Sequence, residues 1–285
     1  MKRDEGPARG GATVDSREPM RLAGSGPGKI DRASLRLSSV LLLGGQILYI
    51  VITLFHTGGD ANDHPAIFTA YAKSGLWVAD HVGQFAAMAL VTGGLVAMFY
   101  ALDARDGTAR WAGRFGAAAA VSALGLYGAL QAVDGVANKM ADAAWVTSGD
   151  AERAARFASA ETVRWMEWGM RSYHAYLLGV ALVMFAVAVL RTRPVPRPIA
   201  YLMGVAGFTY LAQGWVVGTE GFSPTMSSAI ALAEVLNVVW MVWLVVAAWR
   251  MKAPIALPPA GEGPGPSTAT PGLLVDARAP YGSSP

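Results

Sequence analysis

Six long apolar runs, separated by short polar connections, dominate the middle of the chain. They lie near residues 37–56, 79–102, 113–135, 166–190, 198–218 and 226–249. A helix needs about 20 apolar residues to cross a bilayer, and each run is of that length. The pattern predicts an all-α integral membrane protein with six transmembrane helices in a bundle over residues 37–252.

The two ends of the chain have a different character. Residues 1–36 and 253–285 are rich in Gly, Pro and charged or small residues and show no apolar period. Such segments bury too little apolar surface to become ordered, so we predict two disordered tails. The whole chain is 53% hydrophobic and 15% charged, against about 25% charged residues in soluble domains.

The positive charges predict an orientation. Between the first and second, third and fourth, and fifth and sixth runs lie few of the 23 lysines and arginines. The positive-inside rule therefore puts both termini in the cytoplasm, in a multi-pass protein of the cell membrane. The pI near 9.2 follows from this distribution and does not indicate nucleic acid. The basic residues assigned to the outer side are Lys73, Lys139, Arg153, Arg156, Arg164 and Arg171.

Three connections carry helix-start signals. Asn62 or Asp63 can cap a short helix with Pro65 in its first turn, and Ser223 precedes Pro224 in the same way. Asp150 can cap a helix that continues into the fourth run, for about 40 residues in all. Aromatic residues of the first outer loop, Phe68, Tyr71 and Trp77, are predicted at the membrane interface.

Polar side chains within the spans fall almost entirely in their outer halves. Because polar groups in hydrocarbon are costly, they usually face a bundle interior or water. We therefore predict one pocket, open outward and closed inward. Its candidate ligand-binding residues are Gln46, Gln84, Gln131, Asp134, Arg171, Gln213 and Asn237.

Two further carboxylates in the outer halves of the spans, Glu167 and Glu234, are candidates for catalysis by proton transfer. Glu234 lies deep in an apolar helix, with Asn237 one turn on to hold it. Glu167 and Arg171 are spaced i, i+4, which predicts an ion pair, although Arg171 could instead bind an anionic ligand.

The chain has four histidines and no cysteine, so a metal site must use imidazole and carboxylate ligands. Those ligands suit zinc, copper or iron. The candidate metal ligands are His56, His81, His174, His64 and Asp60, with His64 folding back over His56 and His81. Haem between His81 and His174 is less favoured, and simple hydrogen-bonded histidines at helix ends are the alternative. The spacing matches no established metal motif.

Three classes of function fit this pattern. The first is an outward pocket that binds a transition metal or small polar ligand, with catalysis left open. The second is an accessory or scaffolding subunit of a membrane complex, and the third is a proton-linked small-molecule transporter. The expected partners are the lipid bilayer and a small molecule or metal ion at the outer face, with no nucleic acid and with oligomerisation left open.

The topology can be tested with reporter fusions that are active on only one side of the membrane. Fusions after Asp60 and after Asp103 should report opposite sides, because one apolar run separates them. Equal sidedness would contradict six spans with cytoplasmic termini.

Overall fold

The structure, a computed structural model, describes residues 30–104, 107–192 and 195–251, and within these ranges it is helical apart from short loops. Most of both predicted tails lies outside the described residues. The helices are α1 (Arg32–Thr53), α2 (His64–Lys73), α3 (Trp77–Leu102), α4 (Gly107–Ala132), α5 (Lys139–Val146), α6 (Asp150–Arg191), α7 (Arg197–Glu220) and α8 (Pro224–Arg250). A π-helical segment, Val133–Asn138, joins α4 to α5.

The predicted fold class is confirmed. Within the residues that the structure describes, six stretches of helix are long and apolar enough to cross a membrane: α1, α3, the run from Gly107 to Val146, α6, α7 and α8. Large apolar side chains on their outer faces are exposed, among them Phe115, Phe208 and Val235. A soluble protein rarely exposes so much apolar surface. The chain is a multi-pass membrane protein.

The six spans pack as a closed ring. Neighbours in the ring are α1 and α3, α3 and α4, α4 and α6, α6 and α7, α7 and α8, and finally α8 and α1. At the end of the ring where α1, α4 and α7 begin, the interior is filled by apolar side chains such as Leu35, Phe185 and Met203. Polar groups gather toward the opposite end, as the sequence pattern predicts.

The first span starts earlier than predicted and also ends earlier. Asp31 caps α1 by accepting a hydrogen bond from the Ala33 amide at 3.0 Å, so residues 32–36 are helical rather than part of a tail. The helix ends at Thr53. His56, the last residue of the first predicted span, consequently lies in the following loop and not in the helix.

Helices α2 and α5 pack on each other at the polar end of the ring. The predicted cap is confirmed, since Asp63 accepts from the Ala66 amide at 3.2 Å and Pro65 lies in the first turn. The Lys139 ammonium donates to three carbonyls at the end of α2, at 2.6–2.9 Å. Together these contacts fix α2 over the ring.

The aromatic residues of this outer layer are not interfacial. Phe68, Tyr71 and Trp77 form a buried cluster with Trp145 from α5. The prediction of membrane-interface positions is wrong for all three, because α2 folds inward over the ring and buries its aromatic face.

Helix α6 has 42 residues, which confirms the predicted length. Its cap differs by one position: Gly149 is the N-cap residue, and Asp150 occupies the first turn. At α8 the prediction is confirmed, because Ser223 accepts from the Met226 amide at 3.2 Å.

Glycines allow close contact between α6 and α7. A Cβ added at Gly207 would lie 2.8 Å from the carbonyl oxygen of Gly179 and equally close to Val183. One turn earlier on α7, a Cβ at Gly204 would meet only Ala186, at an ordinary 3.5 Å. Small residues that bring backbones together are a common basis of helix association in membranes.

We therefore expect Gly207→Ala to lower the free energy of unfolding by about 1–3 kcal/mol, since overpacking forces the two helices apart. Gly204→Ala is the matched control and should cost nothing, because alanine favours helix and has room. Unfolding by SDS titration, followed by tryptophan fluorescence, measures both. Equal changes in the free energy of unfolding for the two variants would contradict a close contact between α6 and α7 at Gly207.

Candidate functional site

Two histidines and an aspartate converge where the loop after α1 meets α3 and the π segment. His56 comes from the loop, His81 from the second turn of α3, and Asp134 from the π segment. One ligand atom from each residue lies within 4.8 Å of the others. Two imidazoles and a carboxylate form a competent ligand set for zinc and related metals. We call these three residues the histidine–aspartate cluster.

Both imidazoles of this cluster are oriented by the backbone. His81 Nδ1 lies 2.6 Å from the Trp77 carbonyl oxygen, and His56 Nδ1 lies 3.1 Å from that of Thr57. If each Nδ1 carries the proton that it donates, each Nε2 presents a lone pair. This is the usual way in which a protein orients a metal-binding histidine.

His81 Nε2 lies 3.0 Å from Asp134 Oδ2, but it has no well-aligned hydrogen-bond partner. A lone pair and a carboxylate oxygen at this distance repel each other unless a proton or a cation lies between them. Two ligands on one tetrahedral zinc would be about 3.3 Å apart. Burial also lowers the pKa of the His56 imidazole, so this loop residue stays neutral and able to bind a metal.

A chain of hydrogen bonds and one ion pair connects Asp134, on the side away from His81, to buried polar groups. The Asn138 amide nitrogen donates to Asp134 Oδ1 at 3.3 Å and to Glu167 Oε2 at 2.6 Å. Glu167 in turn forms an ion pair with Arg164 at 2.5 Å. The Trp77 indole donates to the backbone carbonyl of Asp134 at 2.9 Å. Both the side chain and the backbone of Asp134 therefore have hydrogen-bond partners.

Arg164 connects this chain to the surrounding loops. Its guanidinium donates to the Ala61 carbonyl at 3.2 Å and lies over the rings of Tyr71 and Phe222. The predicted pairing of Glu167 with Arg171 is therefore wrong. The partner lies three residues before Glu167 on α6 and not four residues after it, a spacing that also faces the same side of a helix.

Further along α6, Arg171 and His174 face a separate interior cavity of about 20 Å³, enough for about one or two water molecules. Five of the six spans line it. Gln46 donates to Glu234 across the cavity wall, and Arg171 reaches the Tyr49 hydroxyl at 3.3 and 3.4 Å. The other polar residues lining this cavity are His174, Tyr210, Gln213 and Asn237.

The segment from residue 37 to residue 247 matches the family described as "Domain of unknown function (DUF4386)". The chain belongs to this family. No curated protein and no solved structure matches it. The matched segment contains every residue of the histidine–aspartate cluster and of the interior cavity, so both lie within the DUF4386 domain itself.

The single pocket predicted from the sequence is divided in this DUF4386 protein. His56, His81, Asp134 and Glu167 belong to the outer group, whereas Gln46, Arg171, His174, Gln213, Glu234 and Asn237 surround the inner cavity. The prediction that Asn237 holds Glu234 is also wrong. Asn237 donates to the Tyr210 hydroxyl and accepts from Trp240.

The remaining candidates lie apart from both groups. His64 contacts Glu161 at 2.9 Å and stacks on Phe68, so it does not fold over His56 and His81. Asp60 accepts from the Asn62 amide in its own loop. Gln84 approaches Thr53 at 3.4 Å, and Gln131 lines an apolar cleft between α3 and α4, of which His81 is also a lining residue.

His174 is the clearest departure from the predicted metal set. Its Nδ1 lies 3.0 Å from the Ala123 carbonyl oxygen, and its ring packs on Tyr127.

The sequence pattern did not predict that Asn138 contributes to the site, although this residue links Asp134 to Glu167. No local signal marks it, because its orientation depends on the π turn.

The buried Arg164–Glu167 pair can be tested against an exposed pair on the same helix. Arg164→Gln leaves a buried carboxylate without its cation, which costs about 3–5 kcal/mol. Arg156→Gln breaks the exposed Glu152–Arg156 pair, and this should cost about 0–1 kcal/mol. SDS-induced unfolding measures the loss of stability in both variants. Similar losses would show that the buried pair does not stabilise the polar end of the helix ring.

Proposed function

We propose that this protein binds a divalent transition metal through His56, His81 and Asp134. The observation that carries the proposal is the convergence of three ligand atoms within 4.8 Å. The backbone contacts of both Nδ1 atoms support it, because they leave both Nε2 atoms able to bind a metal, and His81 Nε2 lies 3.0 Å from Asp134 Oδ2.

The ligand chemistry favours zinc among the metals considered. Two neutral imidazoles and one carboxylate are a common three-ligand set for zinc sites that keep a fourth position open. Copper and iron accept the same ligands and are distinguished by direct analysis. A set without thiolates also agrees with the absence of cysteine from the sequence.

The open position is where a small ligand or substrate would bind. Zinc in such a site supplies Lewis-acid chemistry. Glu167 is engaged by both Arg164 and Asn138, so we assign it a positioning role behind Asp134 rather than proton transfer. Glu234 lines the other cavity and takes no part in the proposed metal centre.

With both termini in the cytoplasm, as the arginine distribution favours, the metal centre lies at the outer end of the bundle. It would then draw its metal from outside the cell membrane. The cap formed by α2 and α5 covers the site from that side, and Tyr71 and Trp77 pack against the His56 ring.

Metal content of the purified protein tests the proposal. After titration with zinc and desalting, we expect about one zinc ion per wild-type chain, measured by inductively coupled plasma mass spectrometry. His81→Ala and Asp134→Ala should lose it, because each removes one of three ligands. Asn138→Ala should weaken affinity by about 10–100-fold, as expected for loss of an outer-shell contact.

His64→Ala is the matched control, since this histidine lies at the same end of the molecule but pairs with Glu161. It should retain full metal content. A wild-type protein that refuses zinc, copper and iron alike would refute the metal centre. So would equal loss of metal in His64→Ala and His81→Ala.

A further inference from the structure

An apolar cleft opens between α3 and α4, next to the histidine–aspartate cluster. Its volume is about 230 Å³, and it is lined by Val82 and Phe85 of α3 and by Gly128 and Ala132 of α4. An apolar cavity of about 150 Å³ is large enough to bind benzene. The cleft can therefore hold an aromatic ring or several methylene groups of an alkyl chain.

The mouth of the cleft lies on the surface that contacts lipid. Val78, Val82 and Val136 line it and are 53%, 63% and 55% exposed, and all three belong to stretches of helix that are long and apolar enough to cross a membrane. No Asp, Glu, Lys or Arg within the described ranges lines the cleft. Because an unpaired charge is costly in apolar surroundings, the lining favours hydrocarbon from the bilayer over a charged solute.

The cleft has a polar end and an apolar end. At the polar end lie His81 and Gly135, the residue that follows Asp134, and a Cβ at Gly135 would lie 2.8 Å from the His81 Cβ. At the other end a Cβ at Gly128 would meet the Phe85 ring at 3.3 Å. The two glycines are roughly 10 Å apart along the helix axis. The cleft thus runs from the metal ligands toward the middle of the span, as a lipid chain runs below its head group.

The side of the cluster toward α2 is covered by aromatic rings. Tyr71 and Trp77 are 3% and 0% exposed, and the Trp77 ring lies 4.9 Å from the His56 ring and 4.4 Å from the His81 ring. A ligand that approached from this side would have to displace that packing. A ligand in the cleft already contacts His81, so the approach from the bilayer is the open one.

We infer that the ligand of the proposed metal centre is a membrane amphiphile with one alkyl chain, which enters sideways between α3 and α4. Its chain would lie against Phe85 and Gly128, and its head group would occupy the open metal position beside His81. Gln131 also lines the cleft, and its Oε1 atom is buried without a partner, which favours a head group with an O–H or N–H donor. This inference rests on the proposed metal centre, because the head group is assigned to the metal.

Two hydroxamates that differ only in chain length are suitable probes, since the hydroxamate group chelates divalent metals. The full-length protein is loaded with Co²⁺ in lipid nanodiscs, and the visible absorption of the cobalt ion reports binding of the head group. In the wild type we expect both acetohydroxamate and decanohydroxamate to change this spectrum saturably.

Variants at the apolar end of the cleft separate the chain from the head group. Gly128→Leu should weaken decanohydroxamate binding about tenfold or more, because the added side chain excludes the alkyl chain. It should leave acetohydroxamate binding unchanged, since it lies roughly 10 Å from the metal ligands. Gly125→Leu is the matched control: nothing lies within 4 Å of a Cβ added there, and both probes should bind as in the wild type. Ala132→Leu, at an exposed position that lines the cleft, is a second block with the same expected selectivity.

Wild-type affinity for decanohydroxamate in both Gly128→Leu and Ala132→Leu would overturn the inference and leave the metal centre intact. Equal loss of both probes in these variants would also overturn it, because the substitutions would then act on the metal centre and not on the chain. A wild type that binds cobalt but responds to neither probe would refute the open position as the ligand site. Metal content is measured first, because a protein that binds no metal would remove the proposed function and this inference with it.

Discussion

Burial of the Arg164 guanidinium is the constraint on which the polar end of the helix ring depends. Arg164 and Glu167 are 1% and 2% exposed, and removal of two such charges from water costs several kcal/mol for each ion. Their ion pair offsets that cost only if the remaining hydrogen-bonding capacity is also used. Asn138 and the Ala61 carbonyl supply two of those bonds, although the Nε atom of Arg164 has no partner, so the pair also fixes the π segment and the loop that carries His56.

Helix α6 connects the two polar regions. Arg164, Glu167, Arg171 and His174 recur along one side of it, and the first two belong to the outer group whereas the last two face the cavity. A single helix therefore contributes to both polar regions, and the close contact of α6 with α7 at Gly179 and Gly207 holds that helix in place. The two sites are one or two helical turns apart, which is close enough for a shift of α6 to affect both.

The sequence was informative where a signal is local or periodic. Apolar runs gave the six spans, and Asp63 and Ser223 are caps that act within three residues of themselves. The partner of Glu167 could not be predicted, because Arg164 and Arg171 satisfy helical spacing equally well. The end of α1 at Thr53 was also unpredictable from apolar character alone, and it decides that His56 approaches His81 from a loop. Division of the polar residues into two groups depends on packing between helices, which periodicity does not encode.

The π segment explains why Asp134, rather than His174, joins the two outer histidines. A π turn inserts an extra residue into a helix and so rotates the side chains that follow it, and such turns are frequent at functional sites. Here it directs both Asp134 and Asn138 toward the centre of the outer layer. Gly135 permits the approach, since a Cβ there would lie 2.8 Å from the His81 Cβ. The π segment thus supplies Asp134 to the histidine–aspartate cluster, while His174, whose Nδ1 contacts the Ala123 carbonyl oxygen, remains with the inner cavity.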